Sequence, residues 1–322
     1  MYEFNDKHTK DNLIHTNEII NIDSIKDGKI LFKDGTIVTS EKTITSAIIP
    51  SIINDIAVTT IGDYAFKKCT QLTEVTIPNS VTSIGIGAFW RCYNLKSIEL
   101  PNSIQTISDG AFAVCTSLTE ISLPNSINNI SYSMFAGCHN LISIEIPNSI
   151  TNIEEHAFYN CTRLSAVTIP SRVTSVKEAT FYNCSDLAYV QLPSTITTIE
   201  NGAFTLCTSL SSIEIPGSVN SIVSLAFIEC KNLTDIYFAG TTEQWSKISI
   251  EENALPASVV VNCMGDNKPP TTILAFKTHK PVELSEAQVE ITNKTNNLRK
   301  VVINCVLAGT LVFCLVQLKK IK

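Results

Sequence analysis

Apolar residues return in one fixed order along most of this chain. In residues 72–94 (LTEVTIPNSVTSIGIGAFWRCYN), Leu72, Val75 and Ile77 follow an L-x-x-L-x-L spacing in which Val75 and Ile77 face inward while Thr76 between them faces solvent. That alternation predicts a short strand. The strand stops at Pro78, which has no N–H to give to a ladder. Val81 and Ile84 then approach the core from the opposite wall, and Gly87-Ala88-Phe89 with Cys92 predicts a tight helical or 3-10 turn. The order repeats every 23 residues as far as Asn232, with Phe at 66, 89, 112, 135, 158, 181, 204 and 227 and Cys three residues after each. Proline closes each apolar run at 78, 101, 124, 147, 170, 193 and 216. One structural unit has been copied and stacked.

A period of 23 residues lies in the roughly 20–29-residue range of leucine-rich repeats. The predicted fold is therefore a right-handed leucine-rich-repeat solenoid, mostly β, with one short parallel strand per repeat and short helical or 3-10 turns. Eight repeats fill 44–232. The first, over 44–71, is five residues longer than the rest, with its excess at 52–57 placed on a loop. Before them come a loose polar tail over 1–18, without the apolar run of an export signal, and an N-terminal β cap over 19–43. Within the cap, Lys33-Asp34-Gly35-Thr36 reads as a hairpin turn. After the repeats, 233–264 is a divergent last coil whose Trp245 closes the open end of the core.

The composition then breaks at Gly265-Asp266-Asn267-Lys268-Pro269-Pro270, opening a linker or stalk over 265–300. Residues 301–318 (VVINCVLAGTLVFCLVQL) are apolar except for Asn304, Thr310 and Gln317. As a helix they would reach about 27 Å, close to the roughly 30 Å of a hydrocarbon core, with Arg299, Lys300, Lys319, Lys320 and Lys322 as interfacial anchors. The expectation is a transmembrane helix followed by a basic tail over 319–322. The alternative is a small terminal β unit, because Val, Ile, Cys and Phe favour strands equally.

The net charge of −6 removes nucleic acid from the partners, since that would require clustered Lys and Arg. Eleven cysteines suggest disulfides until their spacing is considered. Identical positions in stacked coils lie about 5 Å apart, so the eight repeat cysteines form one file, read as small buried apolar residues rather than bridges. No pair has the close spacing of a zinc motif, and no metal or cofactor is expected.

A solenoid presents its outward strand positions as one continuous sheet. Two columns emerge: Glu74, Ser97, Glu120, Ser143, Ala166, Tyr189, Ser212 and Asp235, then Thr76, Glu99, Ser122, Glu145, Thr168, Gln191, Glu214 and Tyr237. Carboxylates zigzag between the columns, which keeps like charges off directly adjacent strands. Two readings follow. One is a solvated face that blocks edge pairing. The other is a protein-binding face made by Glu74, Glu99, Glu120, Glu145, Tyr189, Gln191, Glu214, Asp235 and Tyr237, suited to a basic protein or to divalent cations. No catalytic constellation is found: His8, His15, His139, His156 and His279 are scattered, and Gly85-Ile86-Gly87 lacks the third glycine of a dinucleotide fingerprint.

The turn L-x-x-[IV]-x-[IL]-P-x-x-[IV]-x-x-[IV]-x-x-x-A-F-x-x-C resembles the leucine-rich repeat of BspA-like surface proteins, over residues 44 to about 264. The resemblance implies a non-enzymatic cell-surface or secreted protein that adheres to host proteins, other cells or matrix. The missing export signal departs from that pattern. With a spanning segment at 301–318 the repeats would lie outside the cell at its surface, or a tail anchor would leave them on the cytoplasmic side. The alternative functions are an intracellular membrane-tethered scaffold and a passive structural spacer.

Overall fold

The computed structural model describes residues 18–20, 25–26, 28–266, 288–292, 299–307 and 310–318. The chain divides into two compact units, Met1–Pro269 and Pro270–Lys322. Of the expected tail at 1–18 only Glu18 is described, at the start of strand Glu18–Ile20, and most of the stalk and the basic tail at 319–322 lie outside the described residues.

In the first unit each 23-residue repeat makes one turn of a solenoid, and successive turns stack in register. One wall carries parallel strands Ser46–Ile48, Glu74–Thr76 and Ser97–Glu99, then Ala166–Thr168 and Tyr189–Gln191, then Ser212–Ile215, Asp235–Phe238 and Val260–Cys263. Pairing joins residues one repeat apart, as in Ile98↔Val75 and Val190↔Val167. The expectation of one strand per repeat is too low. The opposite wall also forms parallel strands, two residues long, including Ser83–Ile84, Thr106–Ile107, Thr198–Ile199 and Ser221–Ile222. Two residues suffice because only one of them, the isoleucine, has to enter the core.

The first wall is not one continuous sheet. Between Glu99 and Thr168 its only pairing among the described residues is the single bridge Ser122↔Glu145. A second break separates Tyr189–Gln191 from Ser212–Ile215.

The segment around each Phe is neither helical nor 3-10. Alternate N–H groups leave the coil: those of Tyr64, Phe66 and Lys68 donate to the carbonyls of Ile86, Ala88 and Trp90 in the next coil at 2.7–2.8 Å. The N–H groups between them donate three residues back, as in Ala65 to Gly62 and Cys69 to Phe66. This alternation requires left-handed backbone at two positions four residues apart, for example Tyr64 (φ 58°) and Lys68 (φ 61°), or Gly87 (φ 54°) and Arg91 (φ 62°). A helix cannot propagate through such residues. Gly87 is doubly required, because a Cβ there would lie 2.6 Å from the Tyr64 ring.

Inside, all eight repeat phenylalanines are fully buried. Their rings stack in one file with centroids 5.1–5.8 Å apart and planes within 14° of parallel. The cysteines run beside them, free and buried. They are more than small apolar fillers. Each thiol from Cys92 to Cys230 donates to the carbonyl of the Phe in the preceding coil, for example Cys115 Sγ to Phe89 O at 3.2 Å and Cys138 Sγ to Phe112 O at 3.2 Å. Hydroxyls outside the core bond in the same way, as Thr116 does to Tyr93 O and Thr162 to His139 O.

The ends differ from the middle. Ile30–Lys33 and Thr36–Ser40 form an antiparallel hairpin through Asp34 and Gly35, both left-handed, and the second strand pairs in parallel with Thr60–Ile61. Ser40 Oγ donates to Ala65 O at 2.8 Å and meets Cys69 Sγ at 3.1 Å, in place of a preceding coil. The extra residues of the first coil are a second small hairpin rather than a loop. Ile52–Ile53 pairs with Ile56–Ala57 across left-handed Asn54 and Asp55, and Asn-Asp suits such a turn because both residues tolerate that conformation. At the far end, a capped four-residue helix, Thr242–Trp245, sets the Trp245 ring edge-on to Phe238 at 5.2 Å.

In the second unit the expected transmembrane helix is replaced by strands. Arg299–Leu307 and Thr310–Leu318 pair antiparallel, with Val301 opposite Val316 and Asn304 opposite Phe313, and Gln288–Thr292 pairs with the first of them. No helix among the described residues is long and apolar enough to cross a membrane. Runs rich in Val, Ile, Cys and Phe lose side-chain freedom in a helix and fit a pleated surface well. The helical reading of 301–318 gave too much weight to hydropathy and too little to shape.

Two measurements test this packing. Phe135 is stacked on both sides and Phe66 on one. Phe135→Ala should therefore lose about 3–5 kcal/mol in urea unfolding, and Phe66→Ala clearly less; equal losses would contradict the file. The thiols supply a pH test. Burial pushes the Cys138 and Cys230 thiols up to about 12, and Cys115, Cys161, Cys184 and Cys207 well above their ordinary range. A raised thiol pKa stabilises the fold fully below the unfolded value of about 8.5 and withdraws that support as pH climbs. Each such thiol removes about 1.4 kcal/mol per pH unit. The urea midpoint should fall steeply above about pH 9, and less steeply in Cys138→Ser/Cys230→Ser; a level midpoint to about pH 10 would contradict the burial.

Candidate functional site

The outward columns of the first wall are set by the same alternation that buries Val75, Ile98, Val190 and Ile236. Glu74, Glu99, Glu120, Glu145, Gln191 and Glu214 are exposed, while Tyr189, Asp235 and Tyr237 are half-buried. Register puts Ser97 beside Glu74 and Glu99 beside Thr76, so these two carboxylates are diagonal neighbours rather than opposite each other. Glu145 lies beside Ser122. Ion pairs among the described residues join Lys177 to Glu154 and Glu155, Lys231 to Glu229, and Lys247 to Glu243. None of them involves a glutamate of these columns.

The two ends of the wall differ. Asp235 is already engaged: Thr234 Oγ1 donates to its Oδ2 at 2.8 Å and Asn262 Nδ2 to its Oδ1 at 3.1 Å. Burial, and then the Asp235 charge, push the Tyr237 phenol above its ordinary range. Asp235 thus ties the last coils together through Asn262, whereas the glutamates further up take part in no ion pair among the described residues. Thr168 Oγ1 donates to Gln191 Oε1 at 3.4 Å, a coil-to-coil contact in the middle of the wall.

Sequence reasoning missed a shallow cleft beside these columns. It has a volume of about 250 Å3 and is lined by Ile146, Asn148, Thr168, Ile169, Pro170, Ser171, Gln191 and Pro193. Its proline edges come from the column that ends each strand, so its position was readable from the repeat, although its depth was not. The first repeat also exposes Ile48, Ile52 and Ile56, the first two by more than half.

Elsewhere, His139 is exposed and His156 buried, in different positions of the repeat. Burial lowers the His156 pKa, and its ring lies 5.3 Å from Tyr132 and 5.7 Å from Tyr159. His8, His15 and His279 lie outside the described residues. Among the described residues no group of three His, Cys, Asp or Glu side chains could hold a metal ion, so the glutamate columns offer no cage for a divalent cation.

A stack of 23-residue coils with parallel strands and a continuous inner file of Phe is a leucine-rich-repeat solenoid. The family model for the BspA type leucine rich repeat region matches residues 40–162 and 128–255, and the chain belongs to this family. No curated protein sequence matches it. Among solved structures, the chain is similar to the T. pallidum leucine-rich repeat protein TpLRR at 31% identity, over 54% of this chain and 82% of that one, with a TM-score of 0.50. A leucine-rich cell surface protein from Faecalibacterium prausnitzii matches at 20% identity over 74% and 99%, with a TM-score of 0.35. The pneumococcal vaccine antigen PcpA matches at 16% over 76% and 93%, with a TM-score of 0.33.

The Asp235 and Tyr237 geometry gives a spectroscopic prediction. Asp235→Asn removes the charge that opposes phenolate formation. The Tyr237 step, isolated in the ultraviolet titration by difference against Tyr237→Phe, should move to lower pH, and an unchanged step would separate the two residues.

Proposed function

We propose that this chain is a non-enzymatic recognition solenoid that works in adhesion at a cell surface and binds a basic protein partner along the first wall. The observation that carries the reading is the set of exposed glutamates at 74, 99, 120, 145 and 214, none of them in an ion pair among the described residues. Five carboxylates held on a rigid wall set up a negative field that a cationic surface complements and that steers such a surface to the wall. A solenoid fixes their spacing through its core, so little side-chain ordering remains to be done on binding. Membership of the BspA-type family supports the surface location.

Within this reading Glu74, Glu99, Glu120 and Glu145 steer and hold the partner, while Tyr189, Gln191 and Glu214 extend the contact. Asp235, already bonded to Thr234 and Asn262, and half-buried Tyr237 have the smaller share.

The test is capture from an extracellular-matrix extract by the immobilised array, compared with the same array carrying Glu99→Lys, Glu120→Lys and Glu145→Lys. All three side chains are exposed, so the variant should keep its fold and its circular dichroism. The intact array should retain basic proteins, with retention falling at least about tenfold in the variant and declining as salt shortens the screening length. Identical retention by both arrays would remove this reading.

A further inference from the structure

The mid-wall cleft and the carboxylates on either side of it specify more than a basic partner. Glu145, Thr168, Gln191 and Glu214 hold one repeat position in four successive coils, and all four are exposed. Three coil steps separate the two glutamates, about 14 Å at roughly 4.8 Å per coil, and the middle step, Thr168 to Gln191, is a paired ladder step. The cleft lies midway, since Thr168 and Gln191 line it, with Ile146, Ile169, Pro170 and Pro193 supplying apolar surface. The order along the solenoid axis is therefore anion, apolar recess, anion.

An extended peptide advances about 3.3–3.4 Å per residue and turns alternate side chains to the same side. Four residues cover about 14 Å, the separation of the two carboxylates, and the side chain two residues along then stands over the recess. We infer that Glu145, the cleft and Glu214 form a binding site for an extended segment of the partner with a cation, an apolar side chain and a second cation at positions i, i+2 and i+4. The segment runs across the strands. Its cations meet Glu145 and Glu214, and its central side chain enters the recess beside the Thr168–Gln191 contact, against the Ile169 and Pro170 edges. Exposed Arg172, next to Ser171 on the rim, keeps further cations off that edge, so the remaining side chains of the segment are neutral. A helix would need its cations about nine residues apart to cover the same distance, so a segment with cations at i and i+4 fits the site only when extended.

This inference rests on the recognition reading and deepens it. It is tested by calorimetric titration of the full chain at low salt with the capped peptide S-K-S-L-S-K-S. Two controls accompany it: S-K-S-S-S-K-S, without the apolar side chain, and S-K-S-L-K-S-S, with the cations one position closer. The first peptide should bind about tenfold more tightly than the leucine-free control. Glu145→Gln and Glu214→Gln should each weaken it about fivefold. Asn148→Trp, at an exposed position lining the cleft, should erase the leucine advantage while leaving the leucine-free peptide unaffected. Equal binding of all three peptides would overturn the site, and so would indifference to both glutamine variants. If matrix capture by the array still depended on Glu99, Glu120 and Glu145, the broader reading would survive that result; if it did not, both would fall.

Discussion

No coil of this protein can satisfy its own backbone. In the turn around each Phe, every second N–H points away from its coil and finds a carbonyl only in the next one, at 2.7–3.1 Å for the phenylalanines from Phe66 to Phe227. A buried N–H without a partner costs about 1–3 kcal/mol, so a coil separated from its neighbour would lose several such bonds together. That requirement fixes the axial spacing, and other features follow from it. Rings one repeat apart must then stack, and thiols one repeat apart must come within reach of the same carbonyl. Where the first wall loses its ladder between Glu99 and Thr168, the turn side still holds the coils in register.

The Phe and Cys columns share one task. Phe removes apolar area from water, and its stacking rewards only the in-register arrangement. Its carbonyl already accepts from the Cys N–H three residues later, as Phe66 O does from Cys69, and the thiol of the following coil reaches the same oxygen. Alanine could fill most of that space but has no hydrogen to give. The terminal coil shows the same demand met by other means: Cys69, with no coil before it, turns to Ser40 of the cap.

Much of this was legible in the letters. The period, the inward faces of Val75 and Ile84, the Phe spine and the outward carboxylate columns all follow from alternation and spacing, because a repeat writes its own register many times over. The left-handed pattern was harder to see. Glycine marks it at 87, 110 and 202, but Tyr64, His156, Ala179 and Leu225 adopt the same conformation without it, so local preference is overruled by inter-coil bonding. The strands at the C-terminus were misread because an apolar run carries no periodicity to arbitrate between helix and sheet. The mid-wall cleft was invisible for another reason: it depends on how two proline corners sit side by side, which spacing alone does not specify.

The free thiols have an effect on how this molecule is lost. While the solenoid is closed they are sealed from oxidants, so air and peroxide find eight cysteines with no exposed sulfur. Opening the stack releases them together on one chain, as good disulfide formers brought close by their own spacing. Scrambled bridges formed while the chain is open would block the coils from rewinding. In an oxidising setting an excursion that lasts long enough for a bridge to form is one-way, and the working lifetime of the protein then depends on how often and how long it opens as well as on its equilibrium stability.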